Sequence, residues 1–187
     1  MRIIDGHFKL KKILDPRDKN TRPLKDLVKE SIFNIIDHSN KLSIKINNSN
    51  ILDLFSGVGS FGLEALSRGA NHITFVENYS DVLAVLKKNI KSFELDSRCR
   101  IVEKNIFNDL NFNKFDKNFD IIFLDPPFKE KEISLLLYKI HSSKILKSNG
   151  IIIIHRNSKI KENLLNEFKI VEEKKYGVSK IIFGNYF

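Results

Sequence analysis

A chain of 187 residues, 42% hydrophobic and 29% charged, is long enough to close one core and too short for two full-size domains. Its formal charge of +9 favours a polyanionic partner such as nucleic acid or an anionic membrane surface. One cysteine, Cys99, excludes an internal disulfide framework. The five scattered histidines give no metal-site spacing, so no metal is expected.

Neither a signal-peptide h-region nor a run approaching the roughly 18 apolar residues of a membrane span occurs. A soluble, cytoplasmic protein without membrane contact is expected. The charge has a bland source, since 25 of the 32 basic residues are lysines. Arginine is more informative, because its planar fork fits phosphates and base edges. Arg2, Arg17 and Arg22 all fall in the first 22 residues.

In chain order, residues 1–23 are basic and irregular, with a turn at Asp15-Pro16-Arg17-Asp18 and a proline at a helix start in Arg22-Pro23. Leu24, Leu27, Val28, Ile32, Ile35 and Ile36 then recur at helical spacing, with Lys25 and Lys29 between them, which predicts an amphipathic helix to about Asp37. A polar loop over residues 39–50 separates this segment from the rest. The expected organisation is a basic arm and helix over 1–38 and a second unit over 39–187.

From residue 50 apolar runs alternate with helical segments, the pattern of a parallel sheet with crossover helices. Strands are predicted over residues 50–55, 72–77, 100–103, 119–124 and 150–155, and helices over 60–68, 80–93 and 131–146. Two strand-like runs, 168–176 and 180–186, flank Gly177 and predict an antiparallel hairpin at the sheet edge.

The first strand runs into Ser56-Gly57-Val58-Gly59-Ser60-Phe61-Gly62, and four of the eight glycines lie between positions 57 and 69. Such a turn lets backbone N–H groups at a helix N-terminus approach a ligand. Glu77 follows Gly57 by 20 residues, where an acid can hold both hydroxyls of a ribose. This fingerprint suits either a nicotinamide dinucleotide or S-adenosylmethionine. Asp53 tips the balance, because a carboxylate at the strand end favours a cationic ligand over an anionic pyrophosphate.

Asp125-Pro126-Pro127-Phe128 follows the fourth strand and holds two of the four prolines. Paired prolines fix successive φ angles, so the loop is stiff and its carbonyls have set directions. A carboxylate and a rigid carbonyl can accept both N–H bonds of an exocyclic amine, and Phe128 can stack on the base that carries it.

Together these segments resemble a class I S-adenosylmethionine-dependent methyltransferase, and more closely the RsmD family, which methylates N2 of a guanine in small-subunit (16S) ribosomal RNA. The resemblance is carried by Arg2-Ile3-Ile4, Arg22-Pro23, residues 28–35, the loop from Asp53 to Gly62 continuing through Leu63-Glu64-Ala65-Leu66-Ser67-Arg68-Gly69-Ala70, and Asp125 to Phe128. It implies a Rossmann-like α/β fold: a mostly parallel seven-stranded sheet with a C-terminal antiparallel hairpin.

The resemblance also implies that Asp53, Phe55, Gly57, Gly59, Glu77, Asn78 and Asn105 bind S-adenosylmethionine. Asn105 reads equally as a loop or capping residue. Asp125, Pro126 and Phe128 are the implied catalytic residues, and Arg2, Lys11, Lys12, Arg17 and Arg22 the implied contacts to 16S rRNA or an assembling small subunit. The expected state is a monomer. Three departures stand out: Asp5-Gly6 where the family has paired glycines, Leu24 where it has threonine, and His155-Arg156 after the fifth strand, where it tends to have an acid. A nicotinamide oxidoreductase would leave the Asp-Pro-Pro-Phe loop unexplained. A DNA amino-methyltransferase would need a target-recognition domain for which this chain is too short.

Overall fold

The computed structural model describes residues 1–16, 24–115 and 118–186; Arg17 and Arg22 fall outside them. Seven strands, β1 (Asn50–Leu54), β2 (His72–Glu77), β3 (Cys99–Glu103), β4 (Phe119–Leu124), β5 (Leu146–Asn157), β6 (Phe168–Tyr176) and β7 (Ser179–Tyr186), form one sheet in the order β3-β2-β1-β4-β5-β7-β6. The first five are mutually parallel, and β7 runs antiparallel to both β5 and β6. This is the Rossmann-like sheet and terminal hairpin that the apolar pattern predicts. Residues Gly177 and Val178 alone connect β6 to β7, with Gly177 at φ +57°.

The inner strands β1, β2 and β4 are apolar on both sides because helices cover both faces of the sheet. Ile51, Ile73, Phe75, Ile121, Phe123, Ile151, Ile153 and Phe183 point toward α1 (Asp26–His38), α2 (Ser60–Ser67) and α3 (Ser80–Ser92). The alternate residues Leu52, Leu54, Val76, Ile122, Leu124, Ile152 and Ile154 point toward α4 (Ile133–Ser143). Phe33, Phe61 and Phe123 stack in series through the first of these layers, with ring centroids 5.2 and 3.9 Å apart. Among the described residues no helix is long and apolar enough to cross a membrane, and no group of potential metal ligands gathers.

The N-terminal segment is folded onto this body. Ile3 and Lys11 pair through Ile3 N–H to Lys11 C=O at 3.0 Å, and Arg2 bridges Lys12, so residues 2–12 turn back on themselves with Ile3 and Ile13 buried. The two isoleucines join the same apolar cluster as α1, α2 and α3. Glu64 on α2 anchors the turn, because its fully buried carboxylate accepts the N–H groups of Ile4 at 2.7 Å and Asp5 at 3.0 Å. Its charge is met by Arg68 Nε at 2.9 Å and by Lys29 Nζ at 3.5 Å. Asn89 of α3 adds a second tie, accepting the Leu14 N–H at 2.9 Å and donating to the Val58 carbonyl at 2.9 Å.

Two expectations for α1 are corrected. The helical spacing puts Lys29 on the solvated side and Leu27 on the apolar side, yet Lys29 is fully buried and Leu27 is 64% exposed. The buried stripe comprises Val28, Lys29, Ile32, Phe33 and Ile36, which places Lys29 opposite the Glu64 carboxylate. Its ammonium also donates to the Arg2 carbonyl at 2.9 Å and to Ser60 Oγ at 3.3 Å. Burial pushes the Lys29 pKa down, and Glu64 opposes that shift. The strand predicted over 150–155 is also longer, because Leu146 already pairs with Phe119 and Lys147 is held by Asp120 at 2.8 Å. That ion pair lets the polar residues 147–149 begin a strand.

Removing one member of a buried ion pair leaves the other charge uncompensated and costs about 3–5 kcal/mol. We therefore expect Glu64→Leu to lower the unfolding free energy by about that amount in denaturant titration. Protease cleavage within residues 1–15 should become faster in the same variant.

Candidate active site

The parallel strands end in step. Leu54 lies level with Val76 and Leu124, and Leu124 with Ile154. The next residues, Phe55, Glu77, Asp125 and His155, therefore stand level with one another across four adjacent strands, toward their carboxyl ends. The chain order reverses between β1 and β4, which is where an open α/β sheet offers a crevice to ligands.

Asp53 sits one step inside that line and is buried, with Oδ2 accepting the Gly62 N–H at 3.2 Å in the first turn of α2. Burial drives its pKa well above the usual carboxylate range, and the nearby Asp125 and Glu77 charges push it further. Two residues on, Phe55 takes φ +62°, a left-handed conformation that is costly for a bulky side chain. Its ring lies 5.9 Å from that of Phe107.

The three motif glycines have different jobs. A Cβ on Gly59 would come within 2.6 Å of Leu86 and one on Gly62 within 2.3 Å of the Phe75 ring, so both permit close packing of α2 against the sheet and α3. A Cβ on Gly57, at φ +55°, would meet no atom within 4 Å. Gly57 thus borders open space, and its N–H is held by Glu77 Oε2 at 2.9 Å. Glu77 Oε1 accepts the N–H groups of Asn78 at 2.8 Å and Tyr79 at 3.0 Å. The carboxylate therefore locks the glycine loop to the end of β2, with further lone pairs available to hydroxyl groups. The Asn78 side chain is exposed. Asn105 Oδ1 accepts from Phe107 N at 2.9 Å and Asn108 N at 3.1 Å, which makes it the cap of the turn after β3.

The Asp-Pro-Pro-Phe loop is braced from β5. Asp125 N–H reaches the Leu54 carbonyl at 3.3 Å, and Asp125 Oδ1 lies 2.7 Å from His155 Nδ1. His155 Nε2 is 2.9 Å from Ser179 Oγ on β7. The buried Arg156 guanidinium donates to the carbonyls of Pro127 at 3.1 Å and Glu130 at 2.5 Å, and to Glu162 Oε1 at 2.6 Å. Phe128 meets the His155 ring edge-on, with centroids 5.4 Å apart.

The sequence pattern ends the fifth strand at His155, but β5 continues to Asn157 in register with β7, so Arg156 lies within the strand as well. Sequence reasoning gives neither them nor Ser179, Glu64 and Asn89 a role. One signal is present: two polar residues directly continue the run Ile151-Ile152-Ile153-Ile154, which for buried strand residues demands partners.

Of the five expected RNA-facing cations, Arg2 and Lys12 are exposed and paired across the N-terminal bridge. Lys11 folds back onto α3, donating to the Ser92 carbonyl at 2.6 Å with its ammonium 4.3 Å from the Phe93 ring. Arg17 and Arg22 lie outside the described residues.

A seven-stranded Rossmann-like sheet with Asp53, Glu77 and Asp125 grouped at its switch point, a glycine loop and an Asp-Pro-Pro-Phe loop defines a methyltransferase of class I. The family model described as conserved hypothetical protein 95 matches residues 1–185, and the chain belongs to that family, the RsmD family. It is 32% identical over 188 residues to ribosomal RNA small subunit methyltransferase D of Buchnera aphidicola, covering 100% of this chain and 91% of that protein. The Haemophilus influenzae protein of the same name is 32% identical, with 95% and 90% covered. Among solved structures, the Escherichia coli protein yhhF, described as a methyltransferase, superposes with a TM-score of 0.82 at 25% identity, covering 100% of this chain and 97% of that one.

The raised Asp53 pKa gives a stability prediction with a definite sign. A folded-state pKa above the unfolded value means that the native state binds more protons. Asp53 therefore costs stability as pH rises from about 4 through the raised value. We expect Asp53→Asn to raise the Tm of the ligand-free protein at neutral pH by at least about 2 °C, roughly 0.5–1 kcal/mol for a chain of this size. The gain should vanish near pH 4 in a calorimetric series.

Proposed function

We propose that this protein is an S-adenosylmethionine-dependent RNA methyltransferase acting on the exocyclic N2 amine of a guanine in small-subunit (16S) ribosomal RNA, as a cytoplasmic monomer. The observation that carries this reading is the pairing of the buried Asp53 with the braced Asp125 loop at one switch point. The names of the relatives, ribosomal RNA small subunit methyltransferase D, support the substrate.

The residues present fit this cofactor. Open space beside Gly57 admits a ligand against the loop backbone, and the Asp53 carboxylate suits a ligand bearing cationic groups. Phe55 and Gly59 shape the loop, Glu77 would take the ribose hydroxyls, and the turns at Asn78 and Asn105 would flank the nucleoside. Bound S-adenosylmethionine supplies an electrophilic methyl group on a sulfonium. A dinucleotide fits less well. Its pyrophosphate belongs at the N-terminus of the helix after β1, and there Asp53 already takes the Gly62 N–H and presents negative charge.

On the substrate side, the guanine must leave its stack to reach the loop. Asp125 Oδ2 and the Pro126 carbonyl accept the two N–H bonds of the amine, which turns its lone pair toward the crevice. Phe128 packs against the base. A guanine amine is a weak nucleophile because its lone pair is delocalised into the ring, so positioning and hydrogen bonds that favour the attacking geometry supply most of the acceleration. The alkylated nitrogen is acidic, and Asp125 or water takes its proton. Residues 1–38 are the RNA-facing part in this reading, with the exposed Arg2 and Lys12 as phosphate contacts and the sequence adding Arg17 and Arg22 as candidates. The docked position of Lys11 makes its share the smallest.

In methyl transfer to unmethylated ribosomal RNA, Asp125→Ala is expected to lower kcat by about 10²–10³-fold while S-adenosylmethionine affinity is kept. Near-normal turnover would contradict this role. Gly57→Ala should weaken S-adenosylmethionine binding in calorimetric titration, at a cost of about 1–2 kcal/mol in stability from the left-handed φ. Thermal-shift titration should respond to S-adenosylmethionine and not to NAD. Neutralising Arg2 and Lys12 to Gln should make the salt slope of RNA binding shallower by about 0.7 for each phosphate that no longer meets a cation.

A further inference from the structure

We infer that His155 is a positioning residue for the amine acceptor: it acts through Asp125, fixing which carboxylate oxygen faces the base. The inference rests on the proposed role of Asp125 and deepens it.

The geometry comes first. β5 is hydrogen-bonded to β4 on one side and β7 on the other, so the His155 backbone has no freedom to move toward or away from Asp125. The ring is buried and held at both nitrogens, by Asp125 Oδ1 at 2.7 Å and Ser179 Oγ at 2.9 Å. An ionised carboxylate only accepts, so the proton lies on Nδ1. Nε2 pairs with the Ser179 hydroxyl, which can donate or accept. With Oδ1 engaged by Nδ1–H, Oδ2 is the oxygen left for an N–H of the base. Phe128, edge-on to the imidazole, rests on the same ring that sets Asp125. One side chain therefore touches two of the three groups that the base must meet, Asp125 and Phe128.

The surroundings explain why a histidine suits the position. Asp125 lies near the buried Asp53 carboxyl on β1, which also feels the Glu77 charge from β2. On β5 itself, Arg156 is committed to the Pro127 and Glu130 carbonyls and to Glu162. On β7, Lys180 donates to the Ile160 carbonyl at 2.9 Å. Neither of these two cations is bonded to Asp125, so His155 is the side chain that steadies it.

The test compares three substitutions at residue 155 and one at 125 in the full chain, with kcat and both KM values measured for methyl transfer to ribosomal RNA and the Tm recorded. His155→Leu should lower kcat by about 10-fold to 100-fold, with the KM values for S-adenosylmethionine and RNA within about twofold. His155→Asn carries an N–H where Nδ1–H was and should recover kcat to within about threefold. His155→Gln places its donor one bond further out and should stay impaired, and it decides the matter if the leucine variant fails to fold. Unimpaired kcat in His155→Leu, or an Asn variant as poor as the Gln variant, overturns the inference. If Asp125→Ala is impaired while His155→Leu is not, only the His155 role falls. If Asp125→Ala turns over normally, the reading of Asp125 falls and the His155 role with it.

Discussion

The constraint on which this molecule depends is the register of its parallel strands. Hydrogen bonding sets Leu54 beside Val76 and Leu124, and Leu124 beside Ile154. Once those pairs form, the residues that follow have no choice of level, and Glu77, Asp125 and His155 emerge together. A slip of one residue in β4 would turn Asp125 to the opposite face of the sheet and part it from its imidazole. The site is thus a property of the ladder. Loops add only the two features a ladder cannot supply, a left-handed bend at Phe55 and Gly57 and a proline-stiffened turn after Asp125.

This arrangement has an energetic cost that the rest of the structure offsets. Asp53 is buried beside other carboxylates, with one backbone N–H at the start of α2 as its hydrogen-bonded partner. Such a charge is tolerated because the elements around it are fixed independently. Glu77 binds the glycine loop to β2, Arg156 binds the proline loop to β5, and Asn89 joins the glycine loop to the N-terminal segment. Glu64 and Lys29 extend the bracing to the base of the N-terminal turn. Giving up stability at such a cluster is a common trade at functional sites.

The features legible in sequence are those written in local pattern. Continuous apolar runs such as 119–124, bounded by turns, announce buried parallel strands. Glycines at 57, 59 and 62 with an acid at 77 announce a tight strand-to-helix loop tied to the end of the next strand. What stays hidden is long-range polar pairing. Lys29 reads as a solvated lysine until Glu64, 35 positions away, is placed opposite it, and His155 reads as a strand end until β7 brings Ser179 alongside. The glycines are visible, but not their division of labour, because only packing distinguishes a Cβ that meets Phe75 from one that meets open space. The arm reads as basic, but the docking of Lys11 onto α3 does not show in it, since the acceptor at Ser92 and the ring of Phe93 lie more than 80 residues downstream.

The central claim is that the register-aligned acids and the braced Asp-Pro-Pro-Phe loop transfer a methyl group to a base amine. The most direct measurement incubates the protein with methyl-labelled S-adenosylmethionine and unmethylated small-subunit ribosomal RNA, free or in partly assembled particles, and identifies the labelled nucleoside by mass spectrometry. The account predicts label in N2-methylguanosine. Label on a ring carbon, on a ribose oxygen or in no nucleoside would contradict it.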